Sequence, residues 1–121
     1  MQALQLARAL MVNPIILLLD EPFSAIDTLA RHSLEETICK IQSSEPERYC
    51  ILVTHDIDCA VFMSNSVTIV DGPPLKVLKT ISIDESLKNR NADFRNSPLF
   101  LSKRTELFRE FQTVLESDSK R

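Results

Sequence analysis

The sequence predicts an α/β fold. Two short, mainly apolar runs, residues 15–19 and 50–54, have the length and composition of strands that are buried on both faces, as in a parallel sheet. Segments with a helical spacing of apolar residues precede the first run and separate it from the second. Because buried strands alternate with helices, we expect a sheet with flanking helices.

Three helical segments accompany these strands. The first covers residues 2–12 and ends before Pro14, which cannot continue a helix. The second covers residues 28–42, where apolar side chains recur every three or four positions, and Thr28 is the expected N-cap. A short helix over residues 58–63 follows the second strand. Each helix connects or flanks the strands, as an α/β fold requires.

The C-terminal half predicts a hairpin and a last helix. Residues 67–70 read as a third strand, residues 71–74 as a turn and residues 75–83 as an alternating strand with one solvated face. Residues 84–97 are expected to form a polar linker. Ser97-Pro98 then predicts a helix start, with serine as the cap and proline at the first helical position. The apolar stripe of this helix is predicted to be mainly a packing face.

Composition excludes several classes of protein. The chain has 121 residues, 14 Lys and Arg against 17 Asp and Glu, and 44% hydrophobic residues, which is typical of a soluble globular chain. A net charge of −3 with evenly spread basic residues argues against a nucleic-acid partner. The single glycine, Gly72, excludes a glycine-rich phosphate loop within these residues. The three cysteines, Cys39, Cys50 and Cys59, indicate free thiols.

Polar residues follow both predicted strands at their carboxyl ends. Asp20 and Glu21 come directly after the first strand, and His55 and Asp56 follow the second. Sites in open α/β sheets lie at this edge. One carboxylate could hold a hydrated Mg²⁺ through its waters, and the other could polarise a water for attack on a phosphoryl group. Acidic residues after a strand can also be a solvated loop start or a helix cap.

Three segments resemble the motifs of ABC-type ATPases. LLLDEPFSAID, residues 17–27, looks like the Walker B strand, catalytic glutamate and D-loop of that family. LVTHD, residues 52–56, resembles its switch-histidine loop, and QLARAL, residues 5–10, is similar to the helix that follows its LSGGQ signature. The three motifs occur in the family's order. The resemblance implies a P-loop NTPase (RecA-like) sheet with flanking helices, of which this chain is the C-terminal part.

The resemblance also implies roles for individual residues. Asp20 would contact Mg²⁺ through water and is the one metal-binding candidate. Glu21 would be the general base or water-orienting group, and His55 would contact the γ-phosphate of ATP. Ser24 and Asp27 would belong to the D-loop, which in the family touches a second ATPase subunit across a head-to-tail dimer. The implied cofactors of the complete subunit are ATP and Mg²⁺.

The second half of the chain resembles one group within the family. Residues 57–62, the turn at residues 72–77 and the helical tail are similar to the nitrate, sulfonate and taurine importer ATPases. Residues 1–72 would then be the C-terminal part of the ATPase core. Residues 73–121 would be the importer-type hairpin, linker and C-terminal helix. The implied function is to couple ATP hydrolysis to uptake of a small solute such as nitrate, sulfonate or taurine.

Motifs that the family needs do not occur in the 121 residues. These are the GxxxxGK[ST] phosphate loop, the Q-loop and the LSGGQ signature. We expect them on an N-terminal half that precedes Met1, so the chain alone is expected to be inactive. We also expect that the absence of this half leaves strand edges and apolar faces exposed.

The resemblance further implies the chain's partners and location. The partners would be the N-terminal half, the membrane permease subunits and a second ATPase subunit. The location would be cytoplasmic, peripheral at the inner face of the cell membrane. The alternative is a non-catalytic interaction module or a gene remnant.

Overall fold

The structure is a computed structural model that describes residues 15–119. The predicted helix over residues 2–12, with the segment that resembles the post-signature helix, lies outside the described residues. The described elements, in chain order, are β1 (Ile16–Asp20), α1 (Thr28–Ser43), β2 (Tyr49–Val53), α2 (Ile57–Met63), β3 (Ser66–Asp71), β4 (Lys76–Ser82), a 3₁₀ turn (Leu87–Asn89), α3 (Ala92–Arg95) and α4 (Pro98–Ser119). The predicted mixture of strands and helices is therefore confirmed. None of the described helices is long and apolar enough to cross a bilayer.

The described strands form two separate sheets. β1 and β2 pair in parallel, with a register that runs from Ile16 opposite Tyr49 to Asp20 opposite Val53. β3 and β4 pair antiparallel as the predicted hairpin, in a sheet of their own. The parallel register places the carboxyl ends of β1 and β2 side by side, which positions the residues that follow them.

Within residues 15–119, the β1–β2 sheet is covered on one face only. Leu17 and Leu19 are buried and belong to a core cluster with Ile38 of α1. On the other face Leu18 is 64% exposed and Ile51 is 53% exposed. The expectation that both strands are buried on both faces is therefore wrong for this structure, because the described helices pack on one side alone. The expectation of an exposed apolar face is confirmed.

The helix starts are set by short polar side chains. Asp27, rather than the expected Thr28, caps α1, and its carboxylate accepts the backbone N–H of Ala30 at 3.1 Å. Aspartate can reach this N–H from one residue earlier, so α1 begins at Thr28 itself. Ser97 caps α4 as predicted, because its hydroxyl accepts the N–H of Phe100 at 3.2 Å.

The segment predicted to be a polar linker contributes Phe94 to a second cluster of buried residues, which includes Phe62, Phe100 and Leu107. It contains the 3₁₀ turn and α3, and Phe94 is buried against the aromatic rings of Phe62 and Phe100. Arg90 is 1% exposed. The prediction is therefore wrong for Arg90 and Phe94, whereas most residues of the segment are exposed. A polar residue can be buried when backbone carbonyls accept its N–H groups.

The Arg90 guanidinium joins this segment to the C-terminal end of α2. It donates to the carbonyls of Val61 at 3.1 Å, Phe62 at 2.8 Å and Ser64 at 2.9 Å, and to that of Glu85 at 2.6 Å. A cation at this end of a helix satisfies carbonyls that have no partner within the helix. Arg90 therefore holds the tail of the chain against α2, which begins beside His55.

The apolar stripe of α4 is a packing face only in part. Leu107 is 2% exposed and belongs to the core, and Val114 packs against that core. Phe108 is 51% exposed and Leu115 is 53% exposed. The prediction of a packing face therefore holds for one side of the stripe.

Candidate active site

The backbone turns sharply at Glu21, directly after β1. Glu21 has a φ of 46°, in the left-handed region that side chains disfavour. Such a conformation costs about 1 to 2 kcal/mol, so surrounding contacts must hold it. The Glu21 N–H donates to the carbonyl of Val53 at 2.8 Å, which extends the parallel ladder by one residue. The turn directs the carboxylate toward the loop that follows β2.

The structure brings Glu21 and His55 into contact. The Glu21 carboxylate accepts the backbone N–H of His55 at 2.9 Å and the hydroxyl of Thr54 at 3.3 Å. The imidazole Nδ1 of His55 also contacts the same carboxylate. The His55 side chain is 76% exposed, whereas that of Glu21 is 32% exposed. The site therefore presents a fixed carboxylate beside an imidazole that solvent reaches.

Thr54 is a site residue that the sequence analysis missed. Its hydroxyl donates to Glu21 and accepts the backbone N–H of Asp56 at 3.0 Å. A threonine that accepts an N–H two residues further on is a recognised turn pattern, so the Thr-x-Asp spacing is a signal that could have identified it. Thr54 thus connects the carboxylate to the start of α2.

Asp20 lies apart from this contact. It is exposed at the end of β1, and neighbouring strand residues point to opposite faces, so Asp20 points away from the face that buries Leu19. Within residues 15–119, no group of three or more His, Cys, Asp or Glu side chains could hold a metal ion directly. A single exposed carboxylate nevertheless fits Mg²⁺, because this ion keeps several of its waters and often uses only one or two carboxylates.

A small cleft opens beside Glu21 and His55. Its volume is about 270 Å³, and its walls include Ser24, Arg31 and Cys59. Ser24 is exposed in the loop between β1 and α1, and buried Phe23 holds this loop against the core. Asp27, at the other end of the loop, is exposed and engaged in capping α1. The two D-loop candidates therefore lie on the surface near the site.

A second group of residues missed by the sequence analysis is a network of charges behind the cleft. Arg31 pairs with Asp56 at 3.2 Å and with Glu35 at 3.9 Å, and Arg95 lies 3.8 Å from Glu35. Glu35 is 1% exposed. Burial raises the pKa of the Glu35 carboxyl, and Arg95 and Arg31 oppose that effect. The i,i+4 spacing of Arg31 and Glu35 is the one local signal of this network.

Comparison with known proteins reveals relatives along almost the whole chain. The chain is 38% identical over 113 residues to an aliphatic sulfonates import ATP-binding protein of Bacillus licheniformis, which covers 93% of this chain and 42% of that protein. It is 33% identical over 121 residues to a taurine import ATP-binding protein of Pseudomonas aeruginosa, which covers 97% of this chain and 46% of that protein. It is 35% identical over 107 residues to a bicarbonate transport ATP-binding protein of Synechococcus elongatus, with coverage of 88% and 16%. No protein-family model matches the chain.

These relatives are all ATP-binding proteins of import or transport systems, and the chain matches only part of each. It spans 42% and 46% of the length of the sulfonate and taurine proteins. The similarity extends over most of the described residues and includes both strand ends that form the site. The chain therefore belongs to the family of ATP-binding subunits of ABC importers and corresponds to a portion of such a subunit.

Proposed function

We propose that this chain is the C-terminal portion of an importer's ATP-binding subunit, in which Glu21 and His55 carry out ATP hydrolysis. The observation that supports this most directly is the contact between the Glu21 carboxylate and the His55 loop at the carboxyl ends of two parallel strands. A carboxylate and an imidazole placed together suit phosphoryl transfer to water, because one can orient the water while the other stabilises charge.

Glu21 orients the attacking water and accepts its proton. The His55 N–H and the Thr54 hydroxyl hold the carboxylate in place, which reduces the loss of orientational freedom on reaching the transition state. His55 contacts the Glu21 carboxylate through Nδ1, which leaves Nε2 of its exposed imidazole available to a γ-phosphate oxygen. Asp20 would hold Mg²⁺ through water, and the bound ion would neutralise charge on the phosphates.

The rest of the subunit completes the nucleotide site and the sheet. Residues 1–72 form the C-terminal part of the ATPase core, and residues 73–121 form the importer-type tail. The N-terminal half supplies the phosphate loop and covers the apolar face that carries Leu18 and Ile51, completing a P-loop NTPase sheet. Two observations support this proposal: that face is exposed here, and the chain spans less than half of the sulfonate and taurine relatives.

The proposed assembly has further partners. Ser24 and Asp27 lie on the surface, where the D-loop can face a second ATPase subunit. Membrane permease subunits would bind the complete subunit at the cytoplasmic face of the membrane. The transported solute would be a small one such as nitrate, sulfonate or taurine, and the names of the sulfonate and taurine relatives support this class.

The test uses a fusion subunit, in which this chain is joined to the N-terminal portion of the Bacillus licheniformis relative. We expect the fusion subunit to hydrolyse Mg²⁺-ATP. Glu21→Gln should keep ATP binding while turnover falls at least ~100-fold, because the amide cannot accept the proton. Glu45→Gln, at an exposed position in the loop after α1, is the matched control and should leave turnover unchanged.

Two results would contradict the proposal. Unchanged hydrolysis by the Glu21→Gln fusion subunit, with ATP still bound, would remove Glu21 from its role. Tight binding of Mg²⁺-ATP by the 121-residue chain alone, measured by calorimetry, would show that the N-terminal half is not needed to hold the phosphates.

A further inference from the structure

Arg31 connects helix α1 to the loop that carries His55. It lies in the first turn of α1, and its side chain is 28% exposed. Its Nη1 lies 3.2 Å from Oδ2 of Asp56, the residue directly after His55. α1 follows the D-loop candidates Ser24 and Asp27, so Arg31 joins the two segments that border the cleft.

Asp56 makes polar contacts through its carboxylate and its backbone N–H, and the contact of the N–H connects Asp56 to the Glu21 carboxylate. Oδ2 pairs with Arg31, and Oδ1 accepts the N–H of Cys59 at 3.2 Å as the N-cap of α2. The Asp56 N–H donates to the Thr54 hydroxyl, which in turn donates to Glu21. A continuous path of polar contacts therefore runs from Arg31 through Asp56 and Thr54 to Glu21.

Arg31 is itself held from the opposite side. Its Nε lies 3.9 Å from Oε1 of Glu35, whose side chain is 2% exposed. Arg95 of α3 lies 3.8 Å from the same oxygen, so the carboxyl is shared between two guanidinium groups. Carboxyl groups on both sides of Arg31 restrict its guanidinium, whereas an isolated surface arginine would sample many rotamers.

We propose that Arg31 is a positioning residue that holds Asp56, and through Thr54 the Glu21 carboxylate, in the geometry that hydrolysis needs. The role in hydrolysis rests on the proposed function, whereas the effect on the His55 loop can be measured in the chain itself. The ion pairs of Arg31 described above are with Asp56 and Glu35, not with Glu21 or His55. Arg31 therefore acts on the site through Asp56.

The first measurement is amide hydrogen exchange on the 121-residue chain. In Arg31→Ala we expect the His55 and Asp56 N–H groups to exchange at least ~5-fold faster. The reason is that the hydrogen bond from the His55 N–H to Glu21 and the hydrogen bond from the Asp56 N–H to Thr54 both depend on how Asp56 is held against Thr54. The Ile69 N–H in the hairpin should be unaffected. Arg31→Lys should restore part of the protection, because it keeps a cation near Asp56.

The chain contains a matched control for the loss of an arginine–aspartate pair. Arg104 pairs with Asp58 at 2.6 Å. Asp58 lies in helix α2, two residues after Asp56. Arg104→Ala should leave the exchange of the His55 N–H unchanged. If Arg104→Ala accelerates it as much as Arg31→Ala does, or if Arg31→Ala accelerates the Ile69 N–H equally, then Arg31 has only a general structural role and the proposal is overturned.

The second measurement is steady-state ATP hydrolysis by the fusion subunit. Arg31→Ala should lower kcat ~10-fold while KM for ATP stays within ~2-fold, because a misplaced carboxylate affects the transition state more than the bound substrate. Glu21→Gln with wild-type turnover would overturn the proposed function. Normal dependence on Glu21, together with unchanged kcat and unchanged His55 exchange in Arg31→Ala, would overturn only the role of Arg31.

Discussion

The Glu21 carboxylate accepts the backbone N–H of His55 at 2.9 Å, although the two residues are 34 positions apart in the sequence. The contact forms because the parallel register ends with Asp20 opposite Val53, so the segments that follow the two strands leave the sheet side by side. Because the donor is a backbone group, this hydrogen bond remains when the side chain at position 55 is replaced, and only the Nδ1 contact to Glu21 is lost. The backbone contact that orients Glu21 can therefore be separated from the chemistry of the imidazole by substitution.

Replacement of the imidazole should reduce turnover while Glu21 stays in place. In the fusion subunit, His55→Ala keeps the backbone N–H but removes the donor to the γ-phosphate, so we expect kcat to fall ~100-fold. His32→Ala, on α1, is the matched control and should stay within ~2-fold of the wild type. Single-turnover hydrolysis separates this effect from product release. Wild-type turnover in His55→Ala would exclude the proposed phosphate contact.

The two faces of β1 should respond differently to truncation of neighbouring leucines. In the 121-residue chain, Leu19→Ala should lower the free energy of unfolding by ~2 to 4 kcal/mol, because Leu19 is only 6% exposed. Leu18→Ala should lower it by less than ~1 kcal/mol, because Leu18 is 64% exposed. Urea unfolding followed by circular dichroism measures both values.

The same Leu18 substitution tests what covers the exposed face. In the fusion subunit, Leu18→Ala should become destabilising by ~2 to 4 kcal/mol, because the N-terminal portion would bury this side chain. If its effect stays below ~1 kcal/mol there, then the N-terminal portion does not pack on this face of the sheet.

Removal of the buried Arg90 guanidinium should destabilise the packing of the tail. Arg90→Met keeps most of the aliphatic stem but leaves the carbonyls of Val61, Phe62, Ser64 and Glu85 without this donor. We expect the free energy of unfolding to fall by ~2 to 4 kcal/mol. Arg104→Met removes an exposed ion pair and should cost less than ~1 kcal/mol. Equal effects of the two substitutions would contradict a special role for Arg90.

The buried carboxyl of Glu35 should make stability depend on pH. Burial raises its pKa in the folded chain, so the folded state binds this proton more tightly than the unfolded state does. The stability that this group contributes is therefore lost as the pH rises from the ordinary glutamate pKa through the raised one. We expect the wild type to become progressively less stable relative to Glu35→Gln as the pH rises above the ordinary glutamate pKa of about 4.3.

Unfolding free energies of both chains at several pH values test this prediction. Glu45→Gln, at an exposed position, controls for the removal of one negative charge. The prediction is contradicted if the wild type becomes more stable relative to Glu35→Gln, in free energy of unfolding, as the pH rises. That result would indicate that Arg95 and Arg31 outweigh the effect of burial on the pKa.

Sequence patterns predicted the elements well where the signal is local. The start of α4 at Pro98 with its serine cap, and the hairpin of β3 and β4, depend on residues that are neighbours in the chain. The predicted cap of α1, Thr28, lies one residue too late, because Asp27 and Thr28 are both favourable capping residues and only the observed hydrogen bond distinguishes them. The prediction of a polar linker over residues 84–97 misses the burial of Arg90, because the polarity of the segment does not reveal the carbonyls that accept from its guanidinium.

The amino-acid sequence by itself determined which side chains follow each strand, since the apolar runs end at Asp20 and at Thr54 and nothing distant is needed to place those ends. It also determined the family, through motifs that retain their order along the chain. The tertiary structure alone decided that Glu21 meets the His55 loop, that Thr54 and Arg31 support that contact, and that one face of β1 is uncovered. These features depend on contacts between segments that are far apart in the sequence and on which helices pack against each face of a sheet. The periodicity of a single segment encodes neither of these.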